Sequence, residues 1–168
     1  MTPSDIAAMI DHAILQPTFT DAFIRRELEF AGQAGCAAVF VQPYVIPVAV
    51  DILKGTGTAV GAVVGFPQGG TPAAMKAEET RRYCERGATE VDMVVNVGKA
   101  LGREFLYVEE EIALVKQAAD GFGAPLKVIF ETDYVRDDGV KTELCRICTR
   151  LRVAYVKTST GSASTVSQ

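Results

Sequence analysis

The chain reads as an α/β protein built on one parallel sheet, and three observations carry that reading. Short β-branched apolar runs recur along its 168 residues. Each is closed by Gly, Pro or Asn, and each is followed by a polar amphipathic stretch long enough for a helix. The apolar runs are near-continuous instead of alternating, as expected of strands covered by helices on both faces.

In order, the predicted strands are Ile10–Leu15, Ala37–Gln42, Ala59–Phe66, Glu90–Val97, Leu126–Thr132 and Ala154–Thr158. Between them, Thr20 is placed to N-cap a helix over Asp21–Ala34, with Gly35 as its left-handed terminator. Thr71 precedes Pro72, read as the first residue of a helix ending near Gly87. Helices over Glu104–Ala119 and Asp137–Leu151 complete the pattern. Consecutive βα units imply right-handed crossovers, and the sheet either curls toward an eight-stranded barrel or stays open and doubly wound. Periodicity does not separate the two. A full barrel usually needs at least about 200 residues, so six strands suggest about six of eight units. No linker divides residues 1–161, which form one domain in this reading. Residues 162–168, rich in Ser and Thr, read as a flexible tail.

Composition narrows the function classes. A hydrophobic content of 48% suffices for a core. The net charge is -4, and the 17 Lys and Arg residues are scattered, which argues against a nucleic-acid partner. The N-terminus lacks the basic and apolar regions of a signal peptide, and charges interrupt every apolar run before it could span a bilayer. A cytoplasmic protein without membrane contact is expected. Of the four cysteines, Cys145 and Cys148 form one C-x-x-C pair, but they fall within a helical pattern and nothing nearby completes a metal site. His12 is the sole histidine, and its neighbours suggest no nucleophile system.

In either parallel architecture ligands bind at the carboxyl ends of strands. Strand four carries Asp92, strand five Lys127 and strand six Lys157, and strand three ends in GFPQGG. Lysines inside apolar strands carry a desolvation cost unless they are paired or neutralised. Two ammonium groups close together would lower each other's pKa, yielding the neutral amine that forms imines, and Asp92 could shuttle the protons. The plainer readings are lysines that snorkel to solvent and a structural Asp–Lys ion pair. The GFPQGG segment lacks a P-loop lysine and could be only a turn.

These same residues carry a resemblance to the deoxyribose-phosphate aldolase family. It extends through IDHAIL (Ile10–Leu15), VGFPQGG (Val64–Gly70), ERGATEVDMVVNVG (Glu85–Gly98), YVEEEI (Tyr107–Ile112), LKVIFET (Leu126–Thr132) and YVKTSTG (Tyr155–Gly161). The resemblance implies a TIM (β/α)8-type barrel, here incomplete. It makes Lys157 the Schiff-base lysine, Asp92 a participant in proton transfer and Lys127 a residue of the same pocket. It further implies reversible cleavage of 2-deoxy-D-ribose 5-phosphate to acetaldehyde and D-glyceraldehyde 3-phosphate, without metal or organic cofactor. The family usually has a second essential lysine on a seventh strand, in a Gly-Phe-Lys context, and draws on later loops for phosphate. The chain spans neither segment, so weak turnover or none is expected. Ala13, Gln16, Phe40 and Gln42 stand where Thr, Lys, Cys and Asn are common in the family. A second reading stays open: a non-catalytic barrel fragment that binds a sugar phosphate or covers its open edges by homo-oligomerisation.

Overall fold

The computed structural model describes residues 1–162, so all of the predicted tail except Ser162 lies outside the described residues. Six strands form one parallel sheet in strict sequence order: β1 (Asp11–Ile14), β2 (Ala38–Val41), β3 (Ala59–Val64), β4 (Glu90–Val94), β5 (Leu126–Ile129) and β6 (Tyr155–Lys157). A doubly wound sheet reverses its strand order at a switch point; here every crossover returns to the next neighbour. The sheet also curls, because Asp11 on β1 contacts Lys127 on β5 and Lys157 on β6. The arrangement is an incomplete barrel, not an open doubly wound sheet.

Helices α2 (Asp21–Ala34), α4 (Ala73–Glu85), α6 (Phe105–Asp120) and α7 (Asp138–Arg150) match the four predicted ones. The Thr20 hydroxyl accepts from the Phe23 amide, and Gly35 ends α2 at φ 72°, a conformation glycine enters without a β-carbon penalty. Pro72, expected as the first helical residue of α4, is instead its N-cap, with extended ψ of 143°. Three further helices went unpredicted. These are α1 (Pro3–Ala7), α3 (Ile46–Ile52), entered through a 3-10 turn at Pro43–Val45, and α5 (Val97–Leu101). The last shortens the predicted fourth strand, since the Asn96 side chain accepts from the Lys99 amide and starts a helix where an apolar run had suggested continued strand. The other strands are likewise shorter than their apolar runs.

Side chains alternate across the curled sheet. The outward set forms two cores. Val39, Val41, Val60 and Ala62 pack with Ile24, Leu28, Ile46 and Leu53 of α2, α3 and the turn after α3, and Val91, Met93, Leu126 and Val128 pack with Val108, Ile112, Leu144 and Ile147 of α6 and α7. Burying one such Leu or Ile fully stabilises the fold by roughly 1.5–3 kcal/mol. The inward set holds only a small apolar cluster of Ala38, Phe40 and Val63. The same face also carries the charged side chains of Asp11, Glu90, Asp92, Lys127 and Lys157.

Candidate active site

Alternation places Glu90 and Asp92 two residues apart on the inward face of β4. Lys127 follows in register beside Asp92 on β5, and Lys157 stands one strand further on. Lys157 Nζ donates to Asp92 Oδ2 at 2.5 Å and lies 3.7 Å from Asp11 Oδ2. Lys127 Nζ donates to Asp11 Oδ2 at 2.8 Å and to Glu90 Oε2. Two ammonium groups therefore face three carboxylates. Asp92, Lys127 and Lys157, singled out from sequence, occupy one cluster; Asp11 and Glu90 join it and were missed. Both carried the signal used for the lysines, a charge inside an apolar strand.

Carboxylates set the electrostatics of Lys127. Burial alone would lower the pKa of Lys127, but hydrogen bonds from Asp11 and Glu90 and the charge of Asp92 outweigh it and raise the pKa above the ordinary value. Mutual depression of the two amines therefore does not describe Lys127: its neighbours are carboxylates at closer range. Asp92 is 1% exposed. Burial pushes its pKa up to about 6, against the hydrogen bond and charge of Lys157. Its second oxygen, Oδ1, is buried and has no hydrogen-bond partner among the described residues, so a buried acceptor is available to any donor brought against it.

Two further residues shape the cluster. The Phe40 ring underlies both amines, its centroid 4.5 Å from Lys127 Nζ and 4.7 Å from Lys157 Nζ, within cation–π range. Glu131, just past β5, is 2% exposed and left-handed at φ 53°, a conformation that costs a non-glycine residue of order 1 kcal/mol and clusters at functional sites. Its carboxylate accepts from the Thr160 amide at 3.2 Å and from the Thr160 hydroxyl. The loop that follows Lys157 is thereby tied to the end of β5, helped by the Thr132 amide donating to the Thr158 carbonyl at 2.8 Å.

Above the cluster, a cavity of about 630 Å³ opens at the carboxyl ends of β1 to β3, lined by Leu15, Gln42, Val63, Phe66, Gly161 and Ser162 among others. Lys157 and Asp92 do not line it directly. Val63, the register partner of Asp92, and Gly161, just beyond Lys157, connect the two. Gln42 donates to the carbonyls of Leu15 and Gln16, both at 3.2 Å, fixing one rim.

The GFPQGG segment is a structural turn. Gly65 and Gly69 have positive φ of 60° and 71°, and a β-carbon on Gly69 would overlap the Val95 carbonyl. The Gly65 amide donates to Glu79 Oε2 at 2.8 Å. Beneath the turn, Lys76 of α4 is fully buried, donating to Glu111 of α6 at 2.7 Å and to the Val94 carbonyl at 2.8 Å, while the other Glu111 oxygen accepts from the Asn96 amide at 2.6 Å. This pair pins the carboxyl end of β4, the strand of Asp92. The C-x-x-C cysteines are free on α7, Cys145 exposed and Cys148 buried, and burial pushes the Cys148 thiol up to about 12. Such a thiol is inert near neutrality.

A family model described as DeoC/LacD family aldolase matches residues 6–165. The chain belongs to this aldolase family. Within it, the chain is 39% identical over 157 residues to the deoxyribose-phosphate aldolase of Rhodopirellula baltica, covering 94% of this chain and 65% of the relative. Among solved aldolase structures, a putative deoxyribose-phosphate aldolase from Coccidioides immitis superposes with a TM-score of 0.91 at 33% identity, over 97% of this chain and 63% of that one. The deoxyribose phosphate aldolase from Aeropyrum pernix, described as a tetramer, superposes with a TM-score of 0.86 at 31% identity, over 96% and 67%. The chain thus spans about two thirds of the length of these aldolases, and the matched part holds the whole lysine–carboxylate cluster.

Proposed function

We propose that the cluster is the imine-forming site of a class I deoxyribose-phosphate aldolase, acting reversibly on 2-deoxy-D-ribose 5-phosphate to release acetaldehyde and D-glyceraldehyde 3-phosphate. The observation that carries this reading is the 2.5 Å contact between Lys157 and Asp92 inside the barrel. An ammonium must shed a proton before it can attack a carbonyl. Asp92, with its pKa near 6, is a better acceptor than a solvated carboxylate and still ionised at neutral pH. The freed amine attacks the aldehyde carbon, a proton passes from nitrogen to the new alkoxide to give the carbinolamine, and the proton held by Asp92 returns to that hydroxyl, which leaves as water and gives the protonated imine. In the cleavage direction a base removes the proton of the hydroxyl on the next carbon but one, that carbon becomes the aldehyde of the departing D-glyceraldehyde 3-phosphate, and the electron pair of the broken carbon–carbon bond passes to the protonated imine; the resulting enamine is protonated at carbon, and water then hydrolyses the imine to release acetaldehyde. Lys127, held as a cation by Asp11 and Glu90, completes the wall of the pocket and sets the local charge.

Acetaldehyde with borohydride tests the reading. Reductive trapping should add one ethyl group to the peptide containing Lys157 and none to the same peptide of Lys157→Met. A wild-type peptide without the mass increment sinks the proposal. The reading includes a cytoplasmic setting, which the free thiols of Cys36, Cys84, Cys145 and Cys148 suit. It also includes self-association. Tyr155 and Val156 on the edge strand β6 are 59% and 49% exposed, edge strands invite pairing, and the Aeropyrum relative is described as a tetramer. A monomer by sedimentation would remove that part.

A further inference from the structure

Just past the paired ends of β5 and β6 the two segments fall out of step. The Phe130 amide donates to the Lys157 carbonyl at 3.0 Å, and the Thr132 amide donates to the Thr158 carbonyl at 2.8 Å. Two steps along one segment thus match one step along the other, the count of a β-bulge, a device that re-aims side chains beside active sites. The residue left over is Glu131, at φ 53°. Its own carbonyl accepts from the Tyr134 and Val135 amides, both at 3.0 Å, which fixes its backbone on the β5 side. Its carboxylate is directed to the other segment, accepting from the Thr160 amide at 3.2 Å and from the Thr160 hydroxyl. The Thr160 hydroxyl oxygen in turn accepts from the Ser162 amide at 3.0 Å.

The turn gripped in this way stands between the two parts of the proposed site. Lys157 leads into it, and Gly161 and Ser162 line the cavity of about 630 Å³ at the strand ends. Acetaldehyde bonded to Lys157 is short and stays beside the amine. A sugar phosphate bonded there has the rest of its chain and a phosphate to place, and the cavity beside the turn is the room for them. A non-glycine residue held left-handed persists only where the surrounding structure over-determines it, and at Glu131 that structure is the turn itself. Resting on the proposed imine site, we propose that Glu131 is a positioning residue for the larger substrate: by fixing Thr160 and, through it, Ser162, it sets the wall along which the sugar chain leaves Lys157. Glu131 acts through Thr160 and not on the amine, so imine formation with acetaldehyde does not depend on it.

The test is borohydride trapping on the Lys157 peptide with acetaldehyde and, separately, with 2-deoxy-D-ribose 5-phosphate, whose label is counted as intact sugar plus the ethyl group left after cleavage. Wild type is compared with Glu131→Ala, Glu131→Gly and Glu131→Gln. Glycine enters the left-handed region without a β-carbon penalty, so Glu131→Gly removes the carboxylate and spares the backbone. A misplacement of about 1 Å can cost about 100-fold, and the ratio of sugar-phosphate to acetaldehyde labelling should fall about tenfold or more in Glu131→Ala and Glu131→Gly. Glu131→Gln, which keeps an oxygen for the Thr160 amide, should fall between these and wild type; it carries the test if thermal melts show the other two unfolded. An unchanged ratio in folded variants, or an equal loss with both carbonyls, overturns the positioning role and leaves the imine site intact. A wild type labelled by acetaldehyde alone does the same. A wild type labelled by neither removes the imine site itself, and the positioning role with it.

Discussion

Lys157 and Asp92 are joined at 2.5 Å although β5 lies between the strands that carry them. Lysine is long enough to reach across one strand, and the curl of the sheet turns both side chains toward the same axis. The contact makes each group's charge state the concern of the other.

For Asp92 the pH dependence has a definite sign. Its folded pKa of about 6 lies above the ordinary value of 3.8, so the folded state holds the extra proton between those values. Its contribution to stability is present below about pH 4 and is lost as pH rises through 6. Denaturant melts should show wild type losing stability relative to Asp92→Asn across this window; parallel curves would contradict the buried carboxylate. In the proposed chemistry the same titration sets the rate. Trapping on Lys157 should slow as pH falls below 6, and Asp92→Asn should slow it roughly 100-fold at pH 7.

Lys127 behaves in the opposite range. Its folded pKa is raised by Asp11 and Glu90, so its stabilising contribution is complete below the ordinary lysine value of 10.5 and is lost as pH climbs through the folded pKa. Melts above pH 10 should fall more steeply for wild type than for Lys127→Met. Lys127→Met should also be less stable at pH 8, where Glu90 loses its cation and Asp11 keeps only Lys157, at 3.7 Å.

The buried pair of Lys76 and Glu111 offers a test of the scaffold, distant from the reacting groups. Burial lowers the pKa of Lys76 and raises that of Glu111, against their mutual attraction. Removing one partner should cost roughly 3–5 kcal/mol, because it leaves an uncompensated charge, whereas Lys76→Met with Glu111→Met should recover most of the loss. Urea melts of the two single variants and the double variant read this directly. Additive losses would show that the two groups act independently.

Glu131 predicts a local effect. Glu131→Ala keeps the left-handed backbone but strips the acceptor from the Thr160 amide and hydroxyl, which should cost about 2 kcal/mol, as for other hydrogen bonds to a charged group. Amide exchange at Thr160 should accelerate, while exchange in α2, on the far side of the barrel, stays as it was. Uniform acceleration across the chain would point to global destabilisation in place of a loosened loop.

The strands and four long helices were legible because their signals are local. Apolar runs bounded by Gly, Pro and Asn mark the strands, and the cap at Thr20 marks a helix; Asp137, read as the first residue of the last helix, is its N-cap, the carboxylate accepting from the Gly139 and Val140 amides. The missed helices are short or masked. Helix α1 has five residues, held by a Thr2–Asp5 capping box; α3 hides in an apolar run broken by Pro43 and Pro47; α5 continues an apolar strand sequence until Asn96 caps it. Each boundary was set by one or two hydrogen bonds or proline rings, too little to stand out in a periodicity.

For the site, the amino-acid sequence by itself determined which charges lie in apolar strands and, through the two-residue alternation, that Glu90 and Asp92 share a face. It determined family membership through motifs that end at Lys157 and Gly161. Which carboxylate meets which lysine was decided only by the curl of the sheet. Asp11 reaches Lys127 across 116 residues of chain, and that meeting exists because successive right-handed crossovers bring β1 round to face β5 and β6. Sequence spacing is blind to such closure. The result is a different setting for two lysines that look equivalent in the sequence: one locked between Asp11 and Glu90, the other paired with a buried Asp92 over the ring of Phe40.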